Sequence, residues 1–288
     1  MFSGVYTAIV TPFTAEGKID YGKMRELVKF QIDAGVSGIV PVGTTGESPT
    51  LSITEHHKVI AMIVAAVAGR VQVIAGTGGN STDEAIELTG NAKDAGADAT
   101  LQVTPYYNKP NQEGLRRHFS AVADIGLPVM LYNVPGRSGT EIAIDTIVEL
   151  AQHPNITAVK EAGGSVDRVS QIVRRCDLDV LSGDDSLTFP MMAVGAKGVV
   201  SVCSNIAPTK VCELVSATLA GNWESAAKMH RNLHKLFCDL FLDTNPIPVK
   251  SAMAMMGKIE EVYRLPLCPL AEDKKAVLKE TLKEVGLI

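Results

Sequence analysis

The sequence predicts a (β/α)8 barrel of the TIM type with a C-terminal three-helix appendage, an α/β fold. Three observations point to it. Eight short apolar runs alternate with longer amphipathic stretches; successive runs begin about 20 to 33 residues apart, the length of a βα unit; and strand-like runs stop after the eighth unit. Parallel strands covered on both faces should read as continuous apolar segments of this kind.

The runs are Val5 to Val10, Gly38 to Val42, Val71 to Ala75, Ala99 to Val103, Val129 to Asn133, Ile156 to Lys160, Asp179 to Ser182 and Gly198 to Val202. Helical segments between them carry start signals. Asp20 precedes the Met24/Leu27/Val28 stripe, Ser52 and Glu55 form a capping box, and Ser81 with Glu84 repeats that pattern. Residues 1–221 are therefore assigned to the barrel and 222–288 to the helical region, where Met229/Leu233/Leu236/Phe237/Leu240 form one apolar stripe, a second helix follows Pro248 and a third contains Leu270/Val277/Leu278/Leu282.

Composition narrows the function classes. The chain has 288 residues, 46% hydrophobic and 20% charged, with a net charge of -5, so nucleic acid is not expected as a partner. Its longest nearly unbroken apolar stretch, Val59 to Ala68, falls well short of the roughly 20 residues needed to cross a bilayer, so no membrane association is expected. No basic segment precedes the first apolar run, and five cysteines without a Cys-x-x-Cys pair fit reduced thiols. The expected compartment is the cytoplasm.

In such a barrel, active-site groups come from the C-terminal ends of the strands and the loops that follow. Lys160 ends an otherwise buried run. Burial without a partner favours the neutral amine, and moving its pKa from about 10.4 to about 7 corresponds to roughly 4.6 kcal/mol. A neutral amine there could attack a carbonyl to form a Schiff base; pairing with Glu161 or snorkelling to solvent is the plainer role. Tyr132 lies on the preceding strand and could relay protons or anchor the strand by its hydroxyl. Arg137, after a Pro-Gly turn, could fork onto a carboxylate or simply face solvent. Gly43-Thr44-Thr45-Gly46-Glu47 offers amides and hydroxyls suited to a small anion, or a structural turn.

Other patterns carry less. Gly76-Thr77-Gly78-Gly79-Asn80-Ser81 lacks the third glycine of a dinucleotide fingerprint, and no nucleophile elbow occurs. His230 and His234 lack the glutamate of a zinc motif and suit a helix surface. Asp184-Asp185 could hold a cation but more simply caps a helix. No metal or cofactor is expected.

Together, Gly43-Thr44-Thr45-Gly46-Glu47, Pro105-Tyr106-Tyr107-Asn108-Lys109-Pro110, Tyr132-Asn133-Val134-Pro135-Gly136-Arg137 and Val159-Lys160-Glu161 resemble the dihydrodipicolinate synthase family of the pyruvate-dependent class I aldolase superfamily, nearly end to end. The first and last motifs are shared across the superfamily; the middle two favour the synthase over N-acetylneuraminate lyase or 2-keto-3-deoxy sugar-acid aldolases.

The resemblance implies a lyase that condenses pyruvate with L-aspartate 4-semialdehyde on the route to diaminopimelate and lysine. It implies Lys160 as the Schiff-base residue and Tyr132, Thr44 and Tyr107 as a proton relay, Tyr107 reaching in from a neighbouring subunit of a homotetramer built as a dimer of dimers. Thr45 would hold the pyruvate carboxylate, Arg137 that of the semialdehyde, and Gly183 and Val202 would line the pocket. It also places an allosteric lysine site at Ser48, His56, Asn80, Glu84 and Tyr106. Pro49 and Ile53 stand there in place of a small residue and often a histidine, so weak or absent lysine inhibition is expected.

Overall fold

The structure, a computed structural model, describes residues 2–288. Eight strands close into a barrel with every neighbour parallel: β1 (Gly4–Ala8), β2 (Gly38–Val40), β3 (Gln72–Gly76), β4 (Ala99–Val103), β5 (Val129–Asn133), β6 (Ile156–Glu161), β7 (Asp179–Ser182) and β8 (Gly198–Ser201). Closure joins β1 to β8, with Gly4 opposite Gly198. The backbones approach so closely there that a Cβ on Gly198 would lie 1.9 Å from the Gly4 carbonyl oxygen, and Gly198 has φ +154°. The predicted barrel is thus observed.

Helices follow the strands: α1 (Tyr21–Asp33), α2 (Ile53–Val67), α3 (Thr82–Asp94), α4 (Gln112–Ala123), the single turn α5 (Pro135–Ser138), α6 (Ile144–Leu150), α7 (Val166–Arg175), α8 (Thr188–Ala193) and α9 (Pro208–Leu219). Asp20 accepts from the Lys23 amide, and Ser52 and Glu55 form the full reciprocal box, a feature worth about 1 kcal/mol. At Ser81 only half of that pattern forms. Its hydroxyl accepts from the Glu84 amide at 3.5 Å, whereas the Glu84 carboxylate lies over Gly79, facing a cavity described below.

Three further helices, α10 (Trp223–Asp239), α11 (Ile247–Met255) and α12 (Glu272–Glu284), complete the chain, α10 packing on α9 and α12 on both α10 and α11. Among the described residues no helix is long and apolar enough to cross a membrane.

Two apolar layers result from strand alternation. Side chains such as Ile39, Val73, Leu131, Val159 and Val180 fill the space between sheet and helices, and Tyr6, Val40, Ile74, Leu101, Met130, Ala158, Leu181 and Val200 fill the barrel interior. β2 is shorter than its apolar run. Pro41 has no amide to continue the ladder, and Val42 turns into the left-handed region at φ +48°. That turn opens the loop that matters most for the site.

Candidate active site

The direction of Lys160 is set by one extra residue. Val129 pairs with Ile156 and Met130 with Ala158, so β6 skips Thr157 at this point. Strict alternation from outward-facing Ile156 would turn Ala158 and Lys160 outward as well. The skip brings both into phase with Met130 and Tyr132, inside the barrel. Lys160 thereby becomes the register partner of Tyr132, its Nζ 4.1 Å from the centre of the Tyr132 ring, and the lysine is only 6% exposed.

Pairing of Lys160 with Glu161 does not occur. Glu161 points to the other side of the strand and accepts from Asn133 Nδ2 at 2.8 Å, the Gly163 amide at 2.7 Å and Arg168 Nε at 3.3 Å. Burial pushes its pKa up, while Arg168 and these hydrogen bonds pull it down. On the Lys160 side, Gly183 provides room. A Cβ there would stand 2.6 Å from Ala162 Cβ and 2.9 Å from Lys160 Cε.

The amine opens onto a cavity of about 60 Å³ lined by Thr44, Thr45, Tyr132, Arg137, Lys160, Gly183 and Val202. That exceeds the roughly 10–15 Å³ that admits a single water, so there is room for a small ligand beside the amine. Thr45 is buried, and its Oγ1 accepts from Asn245 Nδ2 at 3.0 Å. Arg137, exposed on α5, donates to the Asn245 carbonyl at 3.2 Å. The hydroxyls of Thr44 and Tyr132 make no hydrogen bond to other described residues.

Phe241 and Asn245 also line this cavity and were not anticipated from sequence, and so does Asp184, read there as a cation or capping residue. Phe241 and Asn245 come from the segment after α10, a contact no local pattern reveals. Asp184 follows β7, and burial raises its pKa while Lys160 opposes the rise. The pair also corrects an expectation, since neither side chain caps the helical turn after β7, Asp185 reaching instead to the end of β8. The buried Asp185 carboxylate accepts from the Ser201 hydroxyl at 2.5 Å and from the Val202 and Cys203 amides at 3.0 and 2.9 Å, tying the end of β7 to that of β8 and fixing Val202 at the cavity wall.

A second cavity, of about 420 Å³, shares the wall formed by Thr44, Tyr132 and Arg137. Ser48, His56, Glu84 and Tyr106 line it, together with Pro49 and Ile53. Asn80 stands beside it, donating to the Tyr106 carbonyl at 3.2 Å. His56 bonds the Gly76 carbonyl through Nε2 at 2.9 Å, and burial lowers its pKa, so the neutral ring carries its proton on Nε2. Tyr107 lines neither cavity. It is 90% exposed and held at φ +73°.

Comparison with known proteins gives this arrangement its context. The model of the dihydrodipicolinate synthetase family matches residues 1–285. The 4-hydroxy-tetrahydrodipicolinate synthase of Geobacter sulfurreducens is 54% identical, with all of both chains covered. A crystal structure of the dihydrodipicolinate synthase from Aquifex aeolicus superposes with a TM-score of 0.98 at 50% identity, covering 99% of each chain. Another, of the chloride-inhibited enzyme from Acinetobacter baumannii complexed with pyruvate, gives 0.98 at 46% identity over all of both chains. With that match along its length, a closed barrel and an inward lysine at the rim, this chain belongs to the dihydrodipicolinate synthetase family.

Proposed function

We propose that this chain is a lyase that condenses pyruvate with L-aspartate 4-semialdehyde, through a Schiff base at Lys160, to give 4-hydroxy-tetrahydrodipicolinate for diaminopimelate and lysine synthesis. The observation that carries this reading is the buried Lys160 amine over the Tyr132 ring, at the wall of a small cavity edged by the Thr44-Thr45 loop. The full-length likeness to synthases, one of them complexed with pyruvate, supports it.

In this reading Thr45 and the loop amides hold the pyruvate carboxylate and bring the keto carbon to Lys160. The amine adds to that carbon and water leaves, giving the imine; loss of a methyl proton gives the enamine. The enamine carbon attacks the semialdehyde aldehyde while Arg137 holds the second carboxylate. The semialdehyde amine then attacks the imine carbon, which closes the ring and releases Lys160 as a free amine. Tyr132 and Thr44 relay the protons, with Tyr107 from a partner subunit as third member. A left-handed, almost fully exposed tyrosine suits a residue whose surroundings lie on another copy. The active form is a cytoplasmic homotetramer, a dimer of tight dimers.

Purified chain given pyruvate and aspartate semialdehyde should form product, and N-acetylneuraminate should not be cleaved. Tyr132→Phe should lower kcat by about 10²- to 10⁴-fold, the usual contribution of a positioned acid or base. No turnover of the pair, or an unchanged kcat in the variant, would contradict the assignment.

A further inference from the structure

The loop that carries Thr44 and Thr45 is bounded by two non-glycine residues in left-handed backbone, Val42 at φ +48° and Glu47 at φ +56°. Such conformations persist only where the surroundings impose them, and for a β-branched valine the region is a genuine outlier. Inside the loop the amides of Gly46, Glu47 and Ser48 turn back onto the carbonyls of Gly43 and Thr44. What holds the far end in place comes from the other end of the chain.

Glu47 forms an ion pair with Lys250 of α11 in which both side chains are fully buried. Lys250 Nζ also donates to the Thr11 carbonyl at 3.2 Å and lies 4.3 Å from the ring centre of Phe13 and 5.1 Å from that of Tyr263. The Thr11 hydroxyl in turn donates to the Gly46 carbonyl at 2.7 Å. The second Glu47 oxygen accepts from the Arg264 amide at 3.4 Å, and the Arg264 guanidinium reaches the Thr50 carbonyl at 2.9 Å and both oxygens of Glu55. Burial lowers the Lys250 pKa and Glu47 opposes that.

A buried ion pair is poor evidence for stability, because apolar residues of similar volume often serve as well. Its directional bonds give it another use. We propose that Glu47 and Lys250 are positioning residues, whose buried pair clamps the strained 42–47 loop so that Thr44 and Thr45 face the cavity of Lys160. This rests on the assignment of those threonines to pyruvate binding. Neither residue of the pair lines the cavity, so both act through the loop backbone.

The test compares the wild-type chain with Glu47→Leu/Lys250→Met, which retains bulk without directional bonds, and with Glu47→Gln, which keeps an acceptor facing Lys250. Each is measured for amide hydrogen exchange at Gly46 and Glu47, for kcat and for the KM of pyruvate. The expected result is a folded apolar pair with faster exchange at both amides and a KM raised about tenfold, against about threefold for Glu47→Gln. Unchanged exchange overturns the clamp, whatever the chain does with pyruvate. Faster exchange with unchanged KM and kcat overturns the positioning role. Should the apolar pair fail to fold, Glu47→Gln decides alone by the same two criteria. Failure of the wild-type chain to trap pyruvate under borohydride is a separate outcome: it refutes the site assignment, and the exchange rates still decide the clamp.

Discussion

Gly183→Ala isolates the packing beside the Lys160 amine. The added methyl would sit 2.9 Å from Lys160 Cε and 2.6 Å from Ala162 Cβ, and the Glu161 carbonyl lies 3.3 Å away. Carbon atoms pack at about 3.5–4.0 Å, so the lysine stem must retreat by about 0.6 to 1.1 Å and Ala162 by slightly more. Gly183 is not among the glycines at positive φ, so the backbone accepts alanine and the cost is contact alone. Overpacking of this kind costs about 1–3 kcal/mol. A displacement of about 1 Å at the reacting amine costs about 10²-fold in rate. Thermal unfolding would therefore show a modest drop, while the condensation assay would show kcat lowered by about 10²-fold. A variant with wild-type kcat would refute the claim that Gly183 sets the position of the amine, and equal loss in a distant overpacked core variant would assign the effect to general destabilisation.

Other outcomes follow from the same geometry. His118 is buried with its Nε2 unpartnered among the described residues, and burial holds its pKa at about 4 against 6.5 when free. The unfolded chain binds the extra proton between those values, so stability rises with pH across that window and is lost as pH falls through it. By pH 4.5 the loss relative to pH 7 is about 2 kcal/mol, and His118→Gln, measured by denaturant unfolding at both pH values, should lack it. Lysine should inhibit weakly or not at all because Pro49 and Ile53 put apolar surface in the larger cavity; strong inhibition at sub-millimolar lysine would contradict this. Mixed oligomers of Tyr107→Phe and Lys160→Ala subunits, each inactive alone, should regain activity if Tyr107 serves a partner's site, and no recovery would return Tyr107 to its own chain.

The strands were legible because a buried parallel strand must be apolar along its length, and each lies within about two residues of its run. The ends that differ do so for local reasons, such as Pro41 and left-handed Val42 at the close of β2. At the site, Lys160 was visible because a charged group terminating an apolar run is conspicuous, and Tyr132 because it lies near the end of the run before it. Asn245, 200 residues from Thr45, had no such signal, and neither did Lys250, 203 residues from Glu47. Nor could periodicity show that the skip at Thr157 brings Lys160 into register with Tyr132. These features depend on which loops the closed barrel brings against the C-terminal helices, and that is a property of the packed chain.

Borohydride reduction in the presence of pyruvate, followed by peptide mass spectrometry, bears most directly on the Schiff-base chemistry. One reduced pyruvyl group should be found on the peptide containing Lys160, with none on Lys160→Ala. An unmodified Lys160, or an adduct on another lysine, would contradict it.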